Sequence, residues 1–220
     1  MMGPKSIPDF YILMKTFLHT YDLPDDVVFQ TSVAVDTEAM GLKNYRDRLC
    51  VVQLSAGDGT CHLVQFPKND FTKSPNLVAL MTNPAVTKIF HYARFDVAIL
   101  NHSFNIMVNP IYCTKIASRL VRTFTDKHGL KDLCKDLLGV ELSKQEQTSD
   151  WGQETLTQDQ IAYAARDVLH LHKLKEKLDA LLSREDRTHV AQACFQFLPY
   201  RAWFDLKAGE AHDIFSYQCD

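Results

Sequence analysis

The sequence predicts an α/β fold in which a mixed β-sheet is flanked by helices. Two observations support this prediction. Three strand-like apolar runs follow one another early in the chain, at 27–37, 48–56 and 60–66. Gly57-Asp58-Gly59 separates the second run from the third and indicates a hairpin. From about residue 76 onward, helical and strand patterns alternate, which is typical of helices packed against a sheet.

The individual elements follow from local signals. Residues 1–26 contain three prolines and predict a loose extension with at most a short strand at 16–19. Polar residues at 141–156 predict a loop, and a capping box of Thr157 and Gln160 then begins one long helix to about residue 182. The elements between are predicted as helix 76–82, strand 86–90, helix 93–102, strand 111–112, helix 114–121 and helix 129–138 ending at Gly139.

Composition narrows the class of protein. The chain has 220 residues, of which 46% are hydrophobic and 23% charged, as in globular proteins with a sizeable core. A net charge of −3 argues against a protein that grips long nucleic acid non-specifically, although a local basic patch remains compatible with it. The six cysteines form no CxxC pair, and no apolar run is long enough for a membrane span, so we expect a cytoplasmic protein without a membrane segment.

Acidic residues recur at the ends of predicted elements. Asp36 and Glu38 end the first core strand on one face, where each raises the pKa of the other. Asp96 lies near a helix start, and Tyr163 and Asp167 share a helix face at i and i+4. Clustered carboxylates are tolerated beside hard cations such as Mg²⁺ or Mn²⁺. Two such ions about 4 Å apart activate water for phosphodiester hydrolysis, and a tyrosine hydroxyl can orient that water.

Each acidic motif is weak alone, but their order resembles that of a known family. The sequences DTE, FHYARFD and YAARD resemble the three exonuclease motifs of the DEDDy branch of 3′–5′ exonucleases, which have an RNase H-like fold. HGLKDLCKDLLGVEL and QTSDW are similar to segments of the RNase D family. The resemblance implies an N-terminal extension at 1–26, an exonuclease domain at 27–183 and a helical, aromatic tail at 184–220 that belongs to the same domain.

A further resemblance concerns the short architecture. The chain leaves no room for the helical HRDC domains of a full RNase D, and RDRLCVVQLSAGDGT, KIFHYARFD, CTKIAS and ACFQFLP resemble nano-RNase C, a family of compact dinucleotide-cleaving relatives. This resemblance implies a ring-like homo-oligomer, for which an octamer is one candidate. The aromatic tail then forms an interface or a lid over the site, or packs on its own subunit; its residues are Phe195, Phe197, Leu198, Tyr200, Trp203, Phe204 and Phe215.

The resemblance also implies roles for the motif residues. Asp36, Glu38 and Asp167 would hold one ion, while Asp36 is shared with a second ion that Asp96 partly supports. Tyr163 would position the attacking water. The reaction is then metal-dependent hydrolysis from the 3′ end, which releases nucleoside 5′-monophosphates.

Seven further residues are candidates for substrate binding. Leu42 is either a wedge between the last two bases or a packing leucine, and Phe95 either stacks on a nucleoside or caps its helix against the core. His128 either contacts phosphate or is a structural histidine. The remaining candidates are Thr37 between the two acids, His91 before the second motif, Lys131 at a helix start and Gln147 in the polar loop.

These features favour an exoribonuclease that degrades very short RNA, especially dinucleotides, with short single-stranded DNA as a further possible substrate. An RNase D-type enzyme that trims the 3′ ends of tRNA or other structured RNA is the alternative within the same class. A non-catalytic RNA-binding scaffold is the alternative from another class, although such a protein would usually lose one of the acids.

Overall fold

The computed structural model describes residues 15–142, 149–209 and 214–215. Its centre is a six-stranded sheet with the strand order β1-β4-β3-β2-β5-β6. The strands are β1 Lys15–Thr20, β2 Ser32–Ala39, β3 Leu49–Ser55, β4 Thr60–Gln65, β5 Thr87–Phe90 and β6 Ile111–Cys113. Every residue of β3 is buried, so this strand forms the middle of the core.

The sheet is mixed, as predicted. Strand β3 is antiparallel to both of its neighbours, β2 and β4. Strand β1 runs parallel to β4, β5 runs parallel to β2, and β6 runs parallel to β5. Gly57 and Gly59 adopt positive φ angles of 79° and 88° in the turn between β3 and β4, a conformation that glycine adopts without strain. The predicted hairpin is therefore confirmed.

Helices cover both faces of the sheet. They are α1 Pro75–Thr82, α2 Ala93–Phe104, α3 Thr114–Val121, α4 Leu130–Leu133, α5 Gln158–Leu169, α6 Leu171–Arg184 and α7 Thr188–Ala208. Helix α5 packs against β2, β3 and β4, and α7 packs against α2 and β6. Among the described residues, no helix has both the length and the apolar character needed to cross a bilayer.

Two helix predictions need correction. The single long helix predicted after Thr157 is two helices, because His170 leaves helical geometry at φ −102° and ψ −4° between α5 and α6. The apolar stripe continues through this junction without a proline or glycine, so the break has no local signal. The helix predicted at 129–138 is α4 followed by a π-helical turn at Cys134–Leu138, and it does end at Gly139 with φ 70°.

The strand boundaries and the tail also differ from simple expectation. The short strand predicted at 16–19 is present as β1, which covers Lys15–Thr20 and forms an edge of the sheet. The strand predicted from residue 27 begins only at Ser32. In α7, Phe195 and Leu198 are buried while Tyr200 and Trp203 are exposed. One part of the aromatic tail therefore packs on its own chain, and another part faces outward.

Lys88 is an unusual residue of the core because it is charged and fully buried in β5. Its Nζ donates hydrogen bonds to the backbone carbonyls of Asn83, Val86 and Asn109 at 2.9, 2.8 and 2.6 Å. Burial lowers the pKa of Lys88 to about 8. The amine thus joins the loop before β5 to the loop before β6.

Candidate active site

Three carboxylates meet where the end of the central strand β2 lies beneath α5. Asp36 and Glu38 point to the same face of β2 because they are two residues apart in a strand. Asp167 approaches from α5, and carboxylate oxygens of the three residues lie within 4.8 Å of one another. The structure thus brings together three of the four acids that the sequence analysis selected.

The fourth acid, Asp96, lies in the first turn of α2 and is buried. Its Oδ1 accepts a hydrogen bond of 2.7 Å from Oγ1 of Thr37, which is also buried. Asp96 nevertheless lies close enough to raise the pKa of both Asp36 and Glu38 by charge repulsion. Thr37 therefore connects this acid to β2, a contact that spacing along the sequence could not reveal.

Burial raises the pKa of all four acids at this site, and repulsion from neighbouring carboxylates adds to it for Asp36, Glu38 and Asp96. Burial is the largest cause for each, and it raises the pKa of Glu38 to about 9, of Asp96 to about 7 and of Asp167 to about 6. The pKa of Asp36 lies well above its ordinary value because the other three acids add to the effect of burial. Four acids in this arrangement need a cation to remain ionised together.

The donor set fits a hard divalent cation. Three carboxylates from two elements supply oxygen ligands, which Mg²⁺ and Mn²⁺ prefer, and no histidine or cysteine belongs to the cluster. Among the described residues this is the only group of three or more acids, histidines or cysteines with such spacing. The residues present therefore fit the metal that the motif implies.

Tyr163 lies one helical turn before Asp167 and is half-buried. Its ring packs against the buried Trp151, with the ring centroids 6.1 Å apart. Burial and the neighbouring acids raise the pKa of the Tyr163 hydroxyl above its ordinary value. The hydroxyl therefore keeps its proton at neutral pH and remains able to donate a hydrogen bond.

A cleft of about 1020 Å³ opens over the acids, and its lining includes several of the predicted substrate-binding residues. Leu42 lies at the rim with 78% of its surface exposed, while Phe95 is half-buried. Lys131 and Leu130 also line the cleft. The cleft thus combines an acidic floor with apolar and basic walls, as a short anionic ligand that carries bases requires.

His91 also lines this cleft. Its Nδ1 forms a hydrogen bond of 2.8 Å with Oγ1 of Thr114, and the same Oγ1 lies 3.2 Å from the carbonyl oxygen of Phe90. Burial lowers the pKa of His91 to about 3, so the ring is neutral at physiological pH.

Two of the predicted substrate-binding residues are not placed in the cleft. His128 is buried, does not line the cleft and has its Nδ1 2.8 Å from Oγ of Ser118, as the structural alternative requires. Gln147 lies outside the described residues.

A lining residue that the sequence analysis missed is Lys115, whose Nζ lies 4.1 Å above the exposed ring of Tyr92. Tyr92 has a positive φ of 63°, a conformation that no sequence pattern predicts for a tyrosine.

Comparison with known proteins agrees with this site. The sequence model described as 3′–5′ exonuclease matches residues 20–183. The chain belongs to the 3′–5′ exonuclease family. Among curated relatives of this exonuclease, ribonuclease D of Acidiphilium cryptum is 36% identical over 205 residues, which cover 89% of this chain and 52% of that protein. The exonuclease thus spans about half the length of the curated relatives that it matches.

Solved structures of one protein are more similar to this exonuclease than the curated relative described above. Brucella melitensis NrnC bound to pGG is 50% identical, superimposes with a TM-score of 0.87, and the match covers 93% of this chain and 99% of that one. The same protein with bound Mg²⁺ also matches at 50% identity and a TM-score of 0.87, over 93% of this chain and 100% of that one. The predicted RNase H-like fold and the RNase D-like character close to NrnC are confirmed.

The raised pKa values predict how pH affects the stability of the protein without divalent ions. A carboxyl group whose pKa is higher in the folded state stabilises the fold fully below its unfolded pKa and loses this effect as the pH rises through the folded pKa. The stabilisation that protonated Asp167, Asp96 and Glu38 contribute is lost as the pH rises through about 6, about 7 and about 9. We expect the melting temperature in EDTA to fall steadily between about pH 5 and about pH 9.

Calorimetry with and without Mg²⁺ tests this expectation. Saturating Mg²⁺ should remove most of the fall, because the cation takes over the charge that protons neutralise at low pH. Titrating groups elsewhere act equally in both series and cancel in the comparison. Parallel pH profiles in EDTA and in Mg²⁺ would contradict the electrostatic description of the site.

Proposed function

We propose that this exonuclease is a metal-dependent 3′–5′ exoribonuclease that hydrolyses very short RNA, dinucleotides in particular, to nucleoside 5′-monophosphates. The observation that supports this most is the cluster of Asp36, Glu38 and Asp167 on the floor of a cleft whose rim bears an exposed leucine. The proposal is also supported by the structural similarity to NrnC, which was solved bound to pGG and is matched over 99% of its chain.

In this proposal the three acids of the cluster hold a divalent cation, Mg²⁺ or Mn²⁺, and Asp96 supports a second one. Bound cations of this kind lower the pKa of water and stabilise the leaving oxygen of a phosphodiester. The protonated hydroxyl of Tyr163 lies beside Asp167 and orients the attacking water. The protein's own contribution is to hold these groups on a strand and a helix that are both packed in the core.

The walls of the cleft hold the substrate. Leu42 separates the two bases, Phe95 stacks on the terminal nucleoside, and the ammonium of Lys131 attracts the backbone phosphate. Neutral His91 has its Nδ1 engaged with Thr114 and offers Nε2 for a hydrogen bond with a ribose hydroxyl or a water. A two-nucleotide ligand has few phosphates, so it needs few basic residues, which agrees with the small net charge of −3.

Leu42→Ala tests the wedge. Because this side chain is 78% exposed, its removal costs little folding stability, but we expect KM for a dinucleotide to rise about tenfold as base contacts are lost. Val28→Ala is the matched control, since Val28 is 74% exposed and does not line the cleft. Equal KM values for the two variants would show that Leu42 is only a surface residue.

The assembly and context of the protein are part of the same proposal. Residues 27–183 form the exonuclease domain, and the tail with α7 belongs to it, as the packing of α7 against α2 supports. The exposed Tyr200 and Trp203 of α7 are candidates for contacts in a ring-like homo-oligomer. We propose a cytoplasmic location, where short RNA fragments accumulate during decay.

RNase D-type trimming of structured RNA is the second candidate, and the curated ribonuclease D relatives favour it. Degradation of 5′-labelled RNAs of two to about twenty nucleotides in Mg²⁺ separates the two candidates. We expect the dinucleotide to disappear first while longer RNAs lag. A parallel series of single-stranded DNA of the same lengths tests sugar selectivity.

The other outcomes have defined meanings. Stepwise shortening of long RNA that stalls before the dinucleotide would favour trimming and contradict the dinucleotide preference. RNA binding without cleavage in either Mg²⁺ or Mn²⁺ would indicate a scaffold. Asp96→Ala serves as the inactive control, because it removes an acid from the centre and Asp96 itself does not line the cleft.

A further inference from the structure

Gln53 is a buried polar residue whose side-chain amide forms no hydrogen bond within the fold. It lies in the middle of β3, is fully buried, and neither Oε1 nor Nε2 of its amide has a hydrogen-bond partner. Buried polar groups without partners are rare in proteins because their desolvation is not compensated. By contrast, the amide of Gln65 on the adjacent strand donates to the carbonyls of Gln153 and Glu154.

The sheet places Gln53 directly beside the acidic cluster. Its cross-strand neighbours are Asp36 on β2 and Leu63 on β4. Side chains that lie opposite each other on neighbouring antiparallel strands point to the same face, with Cβ atoms about 4.5–5.5 Å apart. Leu63 has no polar side-chain atom, so Asp36 is the cross-strand neighbour that can accept a hydrogen bond from the amide.

Helix α5 closes this space from above. It packs over β2, β3 and β4 and carries Asp167, which shares the cluster with Asp36. Three of the four buried residues of α5, Ala164, Ala165 and Val168, have no side-chain acceptor. The fourth is Gln160, whose Oε1 already accepts from Nε2 of Gln153 and from the backbone N–H of Thr157. The Asp36 carboxylate therefore remains the acceptor next to the Gln53 amide on the neighbouring strand.

We infer that Gln53 is a positioning residue: its amide nitrogen, which has no partner in this structure, donates a hydrogen bond to the Asp36 carboxylate when a cation is bound and so holds that carboxylate in its ligating orientation. Outer hydrogen bonds of this kind fix the rotamer of a ligating carboxylate, and their loss typically weakens metal binding about 10–100-fold. An uncharged amide can orient the carboxylate without repelling the cation, whereas a lysine or arginine would repel it. The inference rests on the proposed function only in taking Asp36 as a metal ligand.

Gln53→Met tests the inference, because methionine has nearly the same length and volume but lacks the amide. Isothermal titration calorimetry with Mn²⁺ should show a Kd increased about 10–100-fold. The melting temperature in EDTA should stay unchanged or rise, because an unpartnered polar group has been replaced by an apolar one. The Mg²⁺ concentration for half-maximal RNA hydrolysis should increase in parallel, with activity partly recovered at saturating Mg²⁺.

Gln65→Met is the matched control, since it removes the same amide from the neighbouring strand, where the amide does have partners. It should lower the melting temperature by roughly 2–6 °C and leave the Kd for Mn²⁺ unchanged. If Gln53→Met binds Mn²⁺ as tightly as the wild type, or loses stability without losing affinity, the inference is wrong.

The same measurements separate this inference from the proposed function. A wild-type protein that binds Mn²⁺ but cleaves no RNA would refute the exoribonuclease proposal, and the calorimetric comparison of Gln53→Met would still decide the inference. A wild type that cleaves RNA beside a Gln53→Met variant of unaltered affinity would refute the inference alone. A wild type that binds no Mn²⁺ would refute both.

Discussion

Asp167→Asn should abolish hydrolysis and at the same time make the metal-free protein more stable. Removing one of three clustered carboxylates weakens cation binding and transition-state stabilisation, so we expect kcat to fall at least about a thousandfold. In EDTA at about pH 8, the variant no longer ionises a group whose pKa is raised to about 6, which should add about 1–3 kcal/mol to the free energy of unfolding. Urea denaturation measures the second effect.

The matched control is Asp159→Asn on the same helix. Asp159 is exposed in the first turn of α5 and does not belong to the cluster. The substitution should leave kcat unchanged and lower stability by about 0.3–1 kcal/mol, because a negative charge near a helix N-terminus is lost. If Asp167→Asn destabilised the metal-free protein as well, the repulsion described for the cluster would be absent.

Lys88→Met should have the largest effect on stability. The substitution leaves the carbonyls of Asn83, Val86 and Asn109 without the ammonium that now donates to all three. We expect the free energy of unfolding to decrease by about 3–5 kcal/mol, a large part of the total stability of a domain. Chemical denaturation measures the loss, and the remaining folded protein should keep its kcat because Lys88 does not line the cleft.

Lys68→Met is the control for the change of residue type. Lys68 is exposed between β4 and the following helical turn, so its replacement should change stability by less than about 0.5 kcal/mol. A similarly small loss for Lys88→Met would mean that water satisfies the three carbonyls once the amine is gone.

Most of the acidic cluster could be predicted from the sequence because its geometry is local. A spacing of two in a strand puts Asp36 and Glu38 on one face, and a spacing of four in a helix puts Tyr163 and Asp167 on one side. The structure then brings the carboxylates of Asp36, Glu38 and Asp167 together. Their role as metal ligands stays a prediction until binding is measured.

The features that the sequence did not predict depend on contacts between distant segments. Thr37 on β2 meets Asp96 on α2, and neither spacing nor composition indicates this pair. The choice between the two roles considered for His128 likewise depends on its contact with Ser118 on α3. The break at His170 likewise lacks a local signal, because the apolar spacing that predicts a helix continues across it. A pattern along one element cannot report which neighbour that element will meet.

The placement of Asp167 on α5 has a consequence for the protein during its synthesis. Asp36 and Glu38 leave the ribosome early, but the third carboxylate follows on the order of 130 residues later, after roughly ten seconds of translation at 5–20 residues per second. Until then the nascent chain presents two repelling acids at the end of an uncovered strand. The set of three carboxylates is therefore complete only once α5 has been translated and has docked on the sheet.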